Sequence, residues 1–223
     1  MATKQEFVKS IPYFVGLDNA ELDYISQFFS ERKVERGEIV QLEGKPAEAL
    51  FFVVIGAVKV FKTSAEGKEQ ILSIVRPGES FNDTAVFDNG PSPTSVEAMT
   101  PVTLYRISRD DLQTILHEQP KVALNTTRVL AERTRQLLSL VEDLSFRHVI
   151  NRVAKVLLEN AGDGSSHGTR LTQQEMAAMV GSVREVVARS LKDLEAEGAI
   201  SLERHRIRIT DRTALEEMAE VAT

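Results

Sequence analysis

Three side chains stand close together in "GSVREVVAR", residues 181–189: Arg184, Glu185 and Arg189. A guanidinium can donate paired hydrogen bonds to the edge of guanine, and a carboxylate can accept one from cytosine. On a helix these three would share one outward end, so the stretch could read a base sequence. The plainer reading is a solvated helix face on which Glu185 pairs with Arg189 at i,i+4. A second stretch, "GESFNDTAVFDNGPSPTSVEA" at 78–98, has a short helical centre from Asp83 to Phe87 and then a Gly/Pro loop. That shape suits the cradling of a small anion. It contains neither Arg nor Lys, so the charge an anion needs is missing from the segment itself.

The surrounding residues favour DNA reading for the first stretch. "LTQQEMAAMVGSVREVVARSLKDLEAEGAI" opens with Thr172 as a helix cap and Glu175 three residues on. Gly181 then breaks the helix, and Ser182 is expected to cap a second one with Glu185 again three residues on. Ala177, Gly181 and Val187 fall where a helix-turn-helix needs a small residue, a turn glycine and a buried branched residue. "ISLERHRIRITD" follows as two short strands, a wing. Thr172, Gln174, Ser182, Val183 and Arg206 join the expected DNA-facing set, with phosphate as the partner of Gln174, Ser182 and Arg206. His205, in the wing, is also expected to approach phosphate.

Upstream, "LDNAELDYISQFF" reads as an amphipathic helix capped by Asp18. From Lys33 to Ile107 short β-branched and aromatic runs are punctuated by Gly44, Gly56, Gly67, Gly78 and Gly90. That spacing predicts an antiparallel sandwich or barrel. "SRDDLQTILHEQ" opens a helix capped by Ser108, and after Pro120 a long helix is expected from Lys121 to Leu144, breaking near Ser145–Phe146. Thr127, Leu130, Thr134, Leu137, Val141 and Leu144 alternate steps of three and four along it, a coiled-coil seam that predicts a two-fold homodimer. Arg133, Asp143 and other charges are expected to solvate its flanks. "RHVINRVAKVLLENA" is a further helix, and "GDGSSHG" a flexible connector in which Asp163, Ser165, Ser166 and His167 are not read as ligands. The predicted division is a β-rich front at 1–119, a dimerisation helix at 120–145 and a DNA-binding domain at 146–223.

Composition closes off other classes. With no cysteine, iron–sulfur clusters and thiolate-held zinc are excluded. A β-barrel metal oxygenase needs clustered His and carboxylate ligands, and residues 33–107 contain no histidine. A net charge of −6 argues against indiscriminate coating of nucleic acid but leaves room for a local basic surface. No signal-peptide core or membrane-length apolar run is present, so a cytoplasmic protein without a membrane partner is expected.

Taken together, the β-rich front, the long helix and "VGSVREVVAR" resemble the cyclic-AMP receptor/fumarate-nitrate regulator family of bacterial transcription factors. The resemblance covers nearly the whole chain. It implies an α+β protein: a jelly-roll-like β-roll, a dimerisation helix and a winged helix-turn-helix. It also implies a non-enzymatic regulator with double-stranded DNA and RNA polymerase as partners. The family's R-E-x-x-x-R triplet matches Arg184, Glu185 and Arg189, which implies a palindromic operator with TGTGA- or TTGA-like half-sites. The serine usual before that Arg is Val183 here.

The family's nucleotide cassette approximates F-G-E-x-A…R-S/T, in which Glu holds the ribose and Arg with Ser neutralises the phosphate. Laid on this chain, it makes Phe81, Asn82, Asp83, Thr84, Pro93 and Thr94 the effector set. Asn82 replaces Gly, Asp83 replaces Glu, and Pro93 replaces the Arg, removing both its charge and a backbone donor. Two helix positions that are hydroxylic in the family are Leu137 and Leu138. The resemblance thus implies an effector that is not cyclic AMP and whose identity the sequence does not name. Haem sensing, known in some relatives, is not supported: the chain's histidines are 117, 148, 167 and 205, none in the cassette. A regulator active without ligand is the other alternative. A cyclic-nucleotide module acting only on a partner protein is disfavoured by the complete helix-turn-helix.

Overall fold

The computed structural model describes residues 4–160, 171–203 and 206–220. It divides into two compact units, 1–62 with 72–136, and 63–71 with 137–223.

The first unit begins with α1 (Lys4–Ser10), a 3-10 turn at Pro12–Phe14 and α2 (Asn19–Ser26). Asp18 caps α2 in a reciprocal box with Glu21, which fixes its start. Eight strands follow: β1 (Ser30–Val34), β2 (Ile39–Gln41), β3 (Ala49–Ile55), β4 (Val58–Thr63), β5 (Glu69–Val75), β6 (Ser80–Phe81), β7 (Ser95–Ala98) and β8 (Val102–Ser108). They form two four-stranded sheets, ordered β1-β8-β3-β6 and β2-β7-β4-β5. The pairings of β8 with β1 and β3, of β3 with β6, and of β7 with β2 and β4 are antiparallel. The result is the expected β-roll.

Alternation explains why "ALFFVVI" is apolar throughout. Ala49, Phe51 and Val53 face the inter-sheet core with Val58, Val96 and Leu104. Leu50 and Phe52 point the other way, into a cluster with Tyr13, Phe14, Leu22, Ile25 and Phe29. A strand buried on both faces has no polar face to show. Gly56 closes the β3–β4 turn at φ 87°. A Cβ there would sit 2.5 Å from the Pro101 carbonyl oxygen, so both backbone and space demand glycine.

In the chain α3 (Asp83–Asp88) lies between β6 and β7; α4 (Arg109–Glu118) and α5 (Pro120–Phe146) follow β8. Ser108 caps α4 by accepting from the Asp111 amide, as expected. The long helix is 27 residues and runs two residues past the expected end. The chain breaks at Arg147–His148 instead of Ser145–Phe146. The cause is a set of side chains that secure this corner. Asp143, expected to be a solvated flank, is buried and pairs with Arg147 (2.9 Å) and Lys155. Arg152 donates to the carbonyls of Arg147 (2.5 Å) and Asp143 (3.3 Å), satisfying acceptors that the helix end leaves open.

The second unit carries α6 (Val149–Asn160), α7 (Gln173–Met179), α8 (Arg184–Ala196), β9 (Ile200–Glu203), β10 (Arg206–Ile209) and α9 (Arg212–Glu220). Val153, Met176, Val180, Val187, Leu191, Leu194, Ile200 and Leu215 form its core. β9 and β10 pair antiparallel as the predicted wing. His205 and the connector with Asp163, Ser165, Ser166 and His167 lie outside the described residues. Among the described residues no helix is long and apolar enough to cross a membrane.

Candidate nucleic-acid interface and effector cassette

α7 starts where the sequence places it. The Thr172 hydroxyl accepts from the Glu175 amide (3.1 Å), and the Glu175 carboxylate accepts from the Thr172 amide (2.6 Å). Ala177 and Val187 are buried at the crossing of α7 and α8. Gly181 turns the chain at φ 66°. There a Cβ would meet a Leu144 methyl at 2.7 Å, so a larger residue would both strain the turn and displace that leucine.

One feature of the turn departs from expectation. The N-cap of α8 is Val183, in extended conformation and without a side-chain cap bond, not Ser182. The Ser182 amide is drawn back onto the Ala177 carbonyl (2.9 Å) by the Gly181 turn, which moves the helix start one residue on. With no side chain capping α8, its first amide groups remain for solvent or a phosphate. Val183, Arg184, Glu185 and Arg189 are all exposed at this end, as is Gln174 on α7; Ser182 is half-buried. Among the described residues, Arg184, Glu185 and Arg189 make no ion pair or side-chain hydrogen bond within the chain. The intrahelical Glu185–Arg189 pair of the plainer reading does not form. Arg206 lies in β10 opposite Glu203.

On α5, Leu137 is 50% exposed and Val141 60%, with Leu144 also open to solvent. Thr127 and Thr134 are exposed and Leu130 half-buried. The two threonines donate their hydroxyls to the carbonyls four residues back, Ala123 (3.1 Å) and Leu130 (2.9 Å). A threonine bonded back in this way has its hydroxyl hydrogen satisfied within its own helix, which reconciles polar residues with an apolar seam.

The cassette is built on two left-handed residues. Asn82 precedes α3 at φ 71° and Asn89 ends it at φ 59°. Asn is the side chain that best tolerates this region after Gly, which accounts for Asn82 where the resemblance has glycine. The Asn82 amide donates to Gln41 (3.2 Å). Phe81 is core, stacked on Phe51 with ring centroids 5.1 Å apart. Thr84 and Pro93 are exposed and Thr94 is half-buried. The Ser92 hydroxyl donates to the Thr94 carbonyl (2.8 Å), and the Ser92 amide to the Lys45 carbonyl (2.8 Å), fixing the loop. A cation does stand beside Pro93: Lys62 of β4 donates to its carbonyl (3.1 Å), but its charge is already met by Glu43 at 2.6 Å.

Asp83 is 1% exposed, yet it is not alone. The Tyr13 hydroxyl donates to Oδ1, as does Ser80 (3.1 Å), and the Arg133 guanidinium pairs with Oδ2. Arg133 also donates from Nη2 to the carbonyl and to the hydroxyl of Ser80 (2.9 Å). The expectation that Arg133 solvates the flank of the helix is corrected here: it is turned in toward α3. A buried carboxylate is the reason, since it is costly to leave unpaired. Tyr13 is aimed by its own packing, edge-on to Phe52 at 5.6 Å, and by Asn125 of α5, which donates to the Tyr13 and Val15 carbonyls. Leu137 and Leu138 are exposed on the part of α5 that belongs to the other unit.

Burial pushes the Tyr13 phenol above its ordinary range, while Arg133 and the Ser80 hydrogen bond pull the other way. The folded protein therefore holds this proton more tightly than the unfolded chain. That contribution to stability is complete below about pH 10, the usual tyrosine value, and is lost as pH rises through the higher folded value. Tyr13→Phe is expected to lessen the fall in melting temperature between about pH 9 and about pH 11. An alkaline slope identical to the parent's would contradict this account of Tyr13.

A β-roll with an α3 cassette, followed by a winged helix-turn-helix with an open recognition helix, defines a two-part protein of the DNA-binding class. Comparison with known proteins agrees. Residues 31–119 match the model of the cyclic nucleotide-binding domain, and residues 151–218 that of the Crp-like helix-turn-helix domain. The cyclic AMP receptor protein of Thermus thermophilus is 32% identical over 212 residues, covering 95% of this chain and 98% of its own. A CRP-like cAMP-activated global transcriptional regulator of Mycobacterium tuberculosis is 32% identical over 205 residues, covering 89% and 92%. The solved structure of a CRP/FNR-family regulator from Thermus thermophilus superposes with a TM-score of 0.74 at 26% identity, covering 87% of this chain and all of that one. The chain belongs to the CRP/FNR family of bacterial transcription regulators, and is a DNA-binding regulator of that family, not an enzyme.

Proposed function

We propose that the chain acts in the cytoplasm as a homodimer that binds a palindromic operator of TGTGA- or TTGA-like half-sites, with RNA polymerase as its partner. Its β-roll answers to a small molecule other than cyclic AMP. The observation that carries the DNA reading is the exposed trio Arg184, Glu185 and Arg189 at the start of α8, which makes no ion pair or side-chain hydrogen bond among the described residues. Side chains free of internal partners lose nothing when they turn to base edges. Two recognition helices related by a two-fold axis need a separation of about 34 Å, one turn of DNA. Selection from a random DNA library tests this: enrichment of an inverted repeat supports it, and no enriched sequence refutes it.

The apolar stripe of Leu137, Val141 and Leu144 supports dimerisation, since a solvent-facing seam of this kind is stable when a second helix covers it. Leu137→Glu with Val141→Glu is expected to convert a dimer to a monomer in sedimentation analysis. A parent that sediments as a monomer would remove the dimer from the proposal.

For the effector, the named relatives are cyclic-AMP proteins, but the cassette here favours another ligand. Pro93 offers no charge to a phosphate, Lys62 beside it is engaged by Glu43, and both oxygens of Asp83 are occupied. Millimolar cyclic AMP is expected to leave both melting temperature and operator affinity unchanged. A rise of several degrees would show that the cassette rearranges to take the nucleotide.

A further inference from the structure

Among the described residues from Val149 to Glu220, Val183 is the sole exposed large apolar side chain, 49% open to solvent. It does not join the core of the second unit, either as a buried member or as one packed against it. Nor does it serve the helix it starts. As the N-cap of α8 it makes no side-chain bond, and valine is among the poorest residues for that position. Its backbone is nevertheless firmly set. The Ser182 amide before it is tied to the Ala177 carbonyl (2.9 Å), and the Val183 carbonyl accepts from the amides of Val186 (3.1 Å) and Val187 (3.2 Å). At φ −118° and ψ 154° the residue is extended, and a β-branched side chain has little rotamer freedom about χ1. An apolar group is thus presented at the same end of α8 as Arg184 and Glu185, with little entropy to lose on contact.

What such a group can recognise on a duplex is narrow. An isopropyl group neither donates nor accepts a hydrogen bond, so it is no partner for a phosphate oxygen or a polar base edge. The major groove offers one apolar feature, the 5-methyl group of thymine. Consecutive Cα atoms lie about 3.8 Å apart, and consecutive base pairs about 3.4 Å. The residue beside Arg184 therefore reaches a base pair next to the one that Arg184 reads. We infer that Val183 is a specificity-determining residue: its methyl groups pack on the 5-methyl of one thymine in each half-site, flanking the base pair read by Arg184. Arg184 and Glu185 then specify by hydrogen bonds, and Val183 by apolar contact. This inference rests on the reading of the chain as an operator-binding regulator, and it can fail while that reading stands.

The test removes the methyl groups from either side of the contact. In the operator enriched by selection, each thymine is replaced in turn, in both half-sites, by deoxyuridine, which lacks only the methyl. Affinity is measured by fluorescence anisotropy for full-length parent, Val183→Ala and Val183→Ser. At one thymine position the parent is expected to lose about 4-fold per half-site, or about 16-fold over the palindrome, what burying one such carbon is worth. Both variants should bind the thymine operator more weakly and be indifferent to deoxyuridine at that position. A parent indifferent to every replacement, or variants as sensitive as the parent, overturns the inference. Thermal melting separates a structural role: Val183→Ser should melt no lower than the parent, because serine caps a helix better than valine. A lower melting temperature would show that the fold needs the valine, and overturns the inference as well. A parent that binds duplexes without sequence preference defeats the proposed function, and the inference falls with it.

Discussion

Arg184→Ala should weaken binding to a matched operator by about 1–3 kcal/mol, roughly 5- to 150-fold, and relax the base preference at one position of each half-site. The magnitude follows from its surroundings. Arg184 is exposed, has no side-chain partner among the described residues, and begins a helix whose own cap supplies no side-chain acceptor or donor. Removing it therefore leaves the fold untouched, and any loss is a loss of DNA contact. A phosphate contact behaves differently: it weakens all sequences alike and lowers the salt dependence. Competition between the matched operator and one changed at a single base distinguishes the two. A variant equal to the parent in affinity and base preference would remove Arg184 from the reading surface.

The second large effect concerns Asp83 and Arg133. Arg133→Met should destabilise the first unit by about 3 kcal/mol, the low end for breaking a buried pair, because a third of the Arg133 side chain is exposed. The carboxylate it abandons is 1% exposed and keeps only Tyr13 and Ser80 as donors. Asp83→Asn together with Arg133→Met should cost less than the sum of the single changes, since neither charge is then stranded. Urea denaturation of the four proteins measures this. Strict additivity would mean that the two residues contribute independently, contrary to the geometry.

Much of the DNA-reading half was legible in the sequence because its determinants are local. The capping box of Thr172 and Glu175, the glycine at 181 and the small and branched residues at 177 and 187 act over a few residues, and the structure has each where its spacing puts it. The start of α8 shows the limit of that logic. Ser182 and Glu185 have capping-box spacing, yet the turn consumes the Ser182 amide and passes the cap to Val183. The strands of the β-roll were legible through their alternation and turn glycines. Their pairing across the roll was not, because register is set between segments distant in sequence.

The cassette was the least legible part. Its own 21-residue segment has no cation, and its acidic residue entered the effector set only through the family resemblance. The cation comes from position 133, in a helix whose charge pattern looks like an ordinary solvated flank, and the hydroxyl from Tyr13 near the other end of the chain. Asp143 misled in the same way, since Lys155 lies beyond the helix break. Ion pairs that span elements leave no local periodicity. Only the buried position of one partner in space demands the other.

Titration of full-length protein into a labelled palindromic duplex, with the corresponding single half-site beside it, tests the central claim most directly. The account predicts saturation at two chains per palindrome, much weaker binding to the half-site, and weaker binding to both by Arg184→Ala. Equal affinity for palindrome, half-site and unrelated duplex would contradict it.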